Sequence, residues 1–127
     1  MADDTIALSI TFEDPDLNAE ERDEEAVRLL EELSDRSEVE TVDRVRDPNP
    51  PEGNKGGGFL IGMLMAEVSV ANAKKLLGFL AERLGNKPFS FEGEVNGIKM
   101  KVSAYSPEEA AFAMQQIEAF IEKHKKG

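Results

Sequence analysis

Cysteine is missing from this 127-residue chain. Its absence excludes a disulfide framework, a thiolate nucleophile and a Cys-ligated zinc, and is compatible with a reducing compartment. Histidine occurs once, at position 124, so the usual nitrogen set of a transition-metal centre has no source either. Long apolar runs are equally scarce. The longest uncharged stretch, residues 56–66, ends at Glu67 after eleven residues, well short of the roughly 20 that a membrane span requires. Lys74 and Lys75 follow soon after, so no membrane partner is expected. The opening MADDTIALSITFEDP carries acids where a signal peptide carries Lys or Arg, and its apolar residues alternate with polar ones. No export signal is expected, and the reading is a cytoplasmic protein.

Charge of one sign is what the chain has in excess. The formal net charge is −11, of which residues 1–52 contribute −13 and residues 53–127 contribute +2. An acidic first half repels phosphate backbones, so nucleic acid is not an expected ligand. The acidity serves solubility, and its uneven spread is suited to orienting one molecule against another. By length the chain is one domain, large enough to fold without staples.

Alternation identifies the first element. In TIALSITF, Ile6, Leu8, Ile10 and Phe12 share one face and Thr5, Ala7, Ser9 and Thr11 the other, the pattern of a half-buried strand. A helix follows from a capping box at Asn18 and Glu21. Leu17, Ala26, Val27, Leu30 and Leu33 lie at helical spacing, and Glu20, Asp23, Glu24, Glu31 and Glu32 are expected in water. VETVDRVR over 39–46 is read as a second strand. A Pro/Gly-rich connector at 47–58 then divides the acidic half from the near-neutral one.

GGGFLIGMLMAEVSV, residues 56–70, is read as a glycine-led apolar helical block. Phe59, Leu60, Ile61, Met63, Leu64 and Met65 would occupy every side of such a helix, which implies burial all round or one face left for a partner. Residues 73–84 form a further helical stripe of Ala73, Leu76, Leu77, Leu80 and Leu84, stopped by Gly85 and Pro88. Asn96-Gly97 is a type I′ hairpin signal. Its two-residue loop sets Val95 against Ile98, Glu94 against Lys99, Glu92 against Lys101 and Phe91 against Val102. A closing helix starts at Ser106 and Pro107 with Glu109 completing a second capping box, and buries Ala110, Ala113, Met114, Ile117, Phe120 and Ile121. The expected fold is α+β, a single domain of order βαβαββα, with a mixed four-stranded sheet and helices mainly on one face.

Chemistry-bearing patterns are few. His124 stands in a lysine-rich terminal turn and reads as solvated. Glu13, Asp14 and Asp16 lack the twelve-residue calcium-loop pattern and read as turn residues. Serines have no candidate base, and no carboxylate pair sits among apolar residues that would raise one pKa, so the chain is read as no enzyme, with no cofactor. Gly56, Gly57 and Gly58 form a candidate weak anion-binding loop, but no Lys-Ser/Thr pair follows as in a phosphate loop.

The element order, with GGGFLIGMLMAEVSVANAKKLLGFLAERL ahead of the hairpin FSFEGEVNGIKMKVSA and the closing SPEEAAFAMQQIEAFI, resembles the effector-associated constant component family of bacteria. The resemblance implies a non-catalytic adaptor that couples a sensor or NTPase component to effectors such as protease-like domains. Its early acidity, and Met and Phe where Leu, Ala and Gly are expected in the apolar block, depart from that family's pattern. On this reading a protein partner is expected, self-assembly is possible, and Phe59, Leu60, Met63 and Leu64 are the candidate partner-binding residues. The alternative is a small-molecule or nucleotide-binding domain, or an undetected enzyme, using a cleft near the Gly-rich loop.

Overall fold

The computed structural model describes residues 5–47, 58–85 and 87–125. Strand β1 (Thr5–Phe12) leads to helix α1 (Ala19–Ser34) and strand β2 (Val39–Arg46); β3 (Phe59–Ser69) and α2 (Val70–Leu84) come next, then β4 (Phe89–Val95), β5 (Ile98–Ala104) and α3 (Pro107–His124). The strands form one sheet of order β2-β3-β1-β4-β5 in which every neighbouring pair is antiparallel. In the unit β1-α1-β2 the two strands are separated by β3, and in β3-α2-β4 they are separated by β1. The first six elements are therefore two interleaved split βαβ units, the ferredoxin-like arrangement, to which β5 and α3 are appended.

The α+β class holds, but the expected mixed sheet of four strands is an antiparallel sheet of five. The difference lies in residues 59–69, which are a strand and not a helix. Leu64, Ala66 and Val68 are buried while Met65 and Glu67 are exposed, a period of two that a helix cannot satisfy. The phase of that alternation is broken upstream at Gly62, whose φ is +68°. The β2–β3 pairing changes register there, between Arg44 opposite Leu64 and Arg46 opposite Phe59, which is the signature of a bulge. An apolar run interrupted by a phase change presents hydrophobic residues at every helical angle, and so imitates a buried helix. Of the connector expected at 47–58, residues 48–57 lie outside the described residues. Its two ends meet, with the Asp47 N–H donating to the Gly58 carbonyl.

The core sits between the sheet and the three helices. Ile6, Leu8, Ile10 and Phe12 of β1, Phe89, Phe91 and Val95 of β4, Leu76, Leu77, Leu80 and Leu84 of α2, and Ile117 and Ile121 of α3 belong to one cluster. Gly93 interrupts the apolar face of β4, and Ile117 seats in the gap: a methyl group there would lie 3.6 Å from its side chain. The helical stripes of α2 and α3 are buried as expected. In α1 the buried residues are Ala26, Leu29 and Leu33, with Val27 exposed. The Asn18 capping box closes, Asn18 Oδ1 accepting from Glu21 N at 2.8 Å and Glu21 Oε1 from Asn18 N at 2.9 Å. The second box is displaced: Ser106 Oγ accepts from Glu109 N, but Glu109 Oε1 accepts from the N–H of Tyr105. The hairpin register is the expected one, pair for pair.

Two acids of α1 assigned to water are structural. One oxygen of Asp23 accepts from the Gly62 N–H at 3.0 Å and from the Arg44 guanidinium, fastening α1 to the bulge. Glu32 receives Nε of Arg83 on both oxygens, at 3.0 and 2.9 Å, which joins α1 to α2. This fork holds Arg83 above its ordinary pKa, because the Glu32 hydrogen bond outweighs burial.

Two glycines give a stability test of opposite sign. Gly62 has a positive φ, and an added Cβ would come within 3.3 Å of Arg22 Cβ and 3.4 Å of the Phe12 carbonyl oxygen. Gly78 lies within α2, exposed, with nothing inside 4 Å of an added Cβ. Urea unfolding should show Gly62→Ala destabilised by about 1–2 kcal/mol, the left-handed backbone cost. Gly78→Ala should be stabilised by about 0.5–1 kcal/mol through helix propensity.

Candidate protein-interaction surface

Among the described residues, the helices lie on one side of the sheet and leave the other bare. Reading across the ladders on that outer face, Thr41, Glu67, Ala7, Glu94 and Lys99 form one row. Asp43, Met65, Ser9, Glu92 and Lys101 form the next, and Met63, Thr11, Ser90 and Ser103 a third. Polar residues on the outer side of an antiparallel sheet are ordinary. Met63 and Met65 are the exception: two flexible thioethers two positions apart on β3, with Met65 38 % exposed, set among Asp43, Glu67, Glu92 and Glu94. Thr41 Oγ1 donates to Glu67 Oε1 at 3.1 Å, which orients one of these carboxylates outward over the sheet.

The candidate residues read from sequence are dispersed by the strand geometry. Leu64 points to the core and is fully buried. Phe59 is half-buried beneath two guanidiniums, Arg44 at 5.0 Å and Arg46 at 5.5 Å from its ring centroid, so it is held as a structural cation–π partner. Leu60 is half-buried. Met63 lies on the outer-face rows given above, and Met65 joins it. A helical period of 3.6 hides Met65; the alternation from Met63 to Ser69 is the sequence signal that reveals it. Gly56 and Gly57 lie outside the described residues. Gly58 is buried with φ +61° and leads into a strand, so the helix amino terminus that the anion-binding reading relied on does not follow it.

Other reactive groups are committed to structure. Asp14 Oδ1 accepts from Asp16 N at 2.9 Å in a local turn. Glu13 accepts from Ser90 Oγ at 3.1 Å and from the Tyr105 hydroxyl at 3.3 Å. The His124 ring packs on Phe120 with centroids 4.7 Å apart, and its carbonyl accepts from Asn96 Nδ2 at 2.8 Å. A depression on the outer face among Ser9, Thr11, Met63, Ser90, Glu92 and Lys101 encloses 50 Å³, against about 300–1,000 Å³ for pockets that hold drug-sized ligands.

Glu38 is the acid that sequence reasoning passed over. It is buried between α1 and β2 and paired with Arg36, whose guanidinium lies 4.0 Å over the Phe79 ring of α2. Burial alone would push the Glu38 carboxyl up. The Arg36 hydrogen bond, its own backbone N–H and the positive charges of Arg36 and Lys75 together outweigh burial and hold it below its ordinary value. A carboxylate kept ionised suits a clamp between the α1–β2 turn and α2; a general acid needs the opposite shift.

Comparison with family models, curated proteins and solved structures finds no match to this chain. No helix among the described residues is long and apolar enough to cross a membrane.

The Glu38 clamp has a pH signature. A folded-state pKa below the unfolded one stabilises the fold above the unfolded value, and that contribution is lost as pH falls through the folded value. Glu38→Gln should therefore lower the denaturant midpoint at pH 7, and its gap from the parent should close as pH falls below the ordinary carboxyl value of 4.5. A gap that stays constant down to acid pH would show that the carboxylate's charge is not what stabilises the turn.

Proposed function

We propose that this chain is a non-catalytic protein-interaction domain that receives a basic protein surface on its outer sheet face. The observation that carries the reading is the placement of Met63 and Met65 on that uncovered face among Asp43, Glu67, Glu92 and Glu94. Methionines adapt to varied apolar anchors, and surrounding carboxylates select partners of opposite sign. The net charge of −11 adds long-range attraction for a basic partner. The resemblance to the effector-associated constant component family supports the same class of role. It adds that the partner is an effector or NTPase component of a bacterial signalling or conflict system, met in the cytoplasm.

The proposal is tested by capture with the purified chain and a double variant, Met63→Arg with Met65→Arg. The parent should retain a specific partner at about 50 mM salt and release much of it by about 300 mM, where the Debye length falls well below 10 Å. The variant should keep its thermal midpoint and fail to retain that partner. Equal retention by the variant would remove the outer face from the function. A single strong stabilisation by one compound in a thermal-shift panel of nucleotides and metabolites would replace the adaptor reading with a ligand-binding one.

A further inference from the structure

Helix α3 carries a second surface, independent of the sheet face. Phe112 is 60 % exposed, an unusual setting for a large aromatic. It lies on an outward stripe of Glu108, Phe112, Gln115, Ala119 and Lys123, all exposed, opposite the buried stripe of Ala110, Ala113, Met114, Ile117 and Ile121. Two pairs on this stripe are placed symmetrically. Counting away from the Gln115–Gln116 midpoint, Phe112 stands as far on one side as Ala119 on the other, and Glu108 as far as Lys123.

From this we infer that α3 pairs with α3 of a second copy of the chain, antiparallel, about a two-fold axis passing between Gln115 and Gln116. Each matched position is then complementary. Phe112 of one copy lies over Ala119 of the other, a large side chain against a small one that admits close approach of the helices. Glu108 meets Lys123, opposite charges repeated twice by the symmetry. Neither residue has an ion-pair partner among the described residues, whereas their neighbours are engaged: Glu122 pairs with Lys125 at 3.0 Å, and Glu109 caps Tyr105. The opposite order, parallel helices, would set Glu108 against Glu108 and Lys123 against Lys123. Antiparallel pairing also aligns the acidic amino end of one helix with the basic carboxyl end of the other, as the helix dipoles favour. The helix belongs to the near-neutral half of the chain, residues 53–127 at +2, which keeps the acidic halves out of the seam.

One helix face against its copy buries less than the about 1,200 Å² of a standard interface, so the dimer is weak, with a dissociation constant between about 1 µM and 1 mM. Sedimentation velocity on the full chain from about 10 µM to about 1 mM, at about 150 mM salt, should show a concentration-dependent monomer–dimer equilibrium. Phe112→Gln should weaken it at least about tenfold, as loss of a central aromatic anchor does. Glu108→Lys and Lys123→Glu should each weaken it, and the two together should restore it, with thermal midpoints confirming that every variant is folded. Because the chain has no cysteine, Gln115→Cys gives a separate readout: mild oxidation should yield a covalent dimer that forms faster than from Thr41→Cys on the sheet. A chain that stays monomeric at about 1 mM, a dimer indifferent to Phe112→Gln, or a charge swap that fails to restore association would each overturn the proposal.

Discussion

Everything in this fold depends on β1 being paired on both edges. β3 and β4 each run antiparallel to it, and their registers bring like faces together: Ile10 lies between Leu64 and Phe91, and Leu8 between Ala66 and Gly93. A strand so enclosed has no tolerance for slippage, since a shift of one residue would carry Ile6, Leu8, Ile10 and Phe12 to the outer face. The strict alternation of TIALSITF is the sequence's answer to that constraint. Each of those four side chains contributes on the order of 1.5–3 kcal/mol by burial, and the helices settle on the side they define.

That constraint also separates what the sequence made legible from what it concealed. Where a segment is half-buried with a constant period, its face and register can be read directly, as in β1, the Asn96-Gly97 hairpin and the stripes of α2 and α3. Segment 59–69 imitates a helix because Gly62 resets the phase of an otherwise regular strand, and the acid that stabilises the bulge, Asp23, comes from α1. No local pattern announces a bond between residues so far apart in the chain. Asp23 and Glu32 looked like surface acids for the same reason: their partners Arg44 and Arg83 come from other elements. With the strand misassigned, the candidate site was assembled from residues that the pleat sends to opposite sides, Leu64 inward and Met63 outward.

The charge of the chain does two kinds of work that composition cannot distinguish. Part of the acidity is committed to the Asp23, Glu32 and Glu38 ion pairs, which tie the α1 region to the sheet and to α2. Among the described residues, Glu20, Glu24 and Glu31 of α1 and Asp43 and Glu67 of the outer sheet face are exposed. The paired acids are matched by Arg36, Arg44 and Arg83, so the net charge of −11 is undiminished by the pairing and is carried by the other acids.

The two edges of the sheet are defended in different ways. β2 carries one extra residue between Val39 and Thr41 in its pairing with β3, an irregularity that interrupts a ladder laid against its other edge. β5 is regular, but Lys99 and Lys101 stand on its outer side, and an antiparallel copy added across that edge about its middle would bring lysine against lysine. Growth strand upon strand is thereby discouraged at both ends, and association is left to surfaces that close on themselves. For a small acidic domain with a bare sheet, that difference separates a discrete assembly from an aggregate.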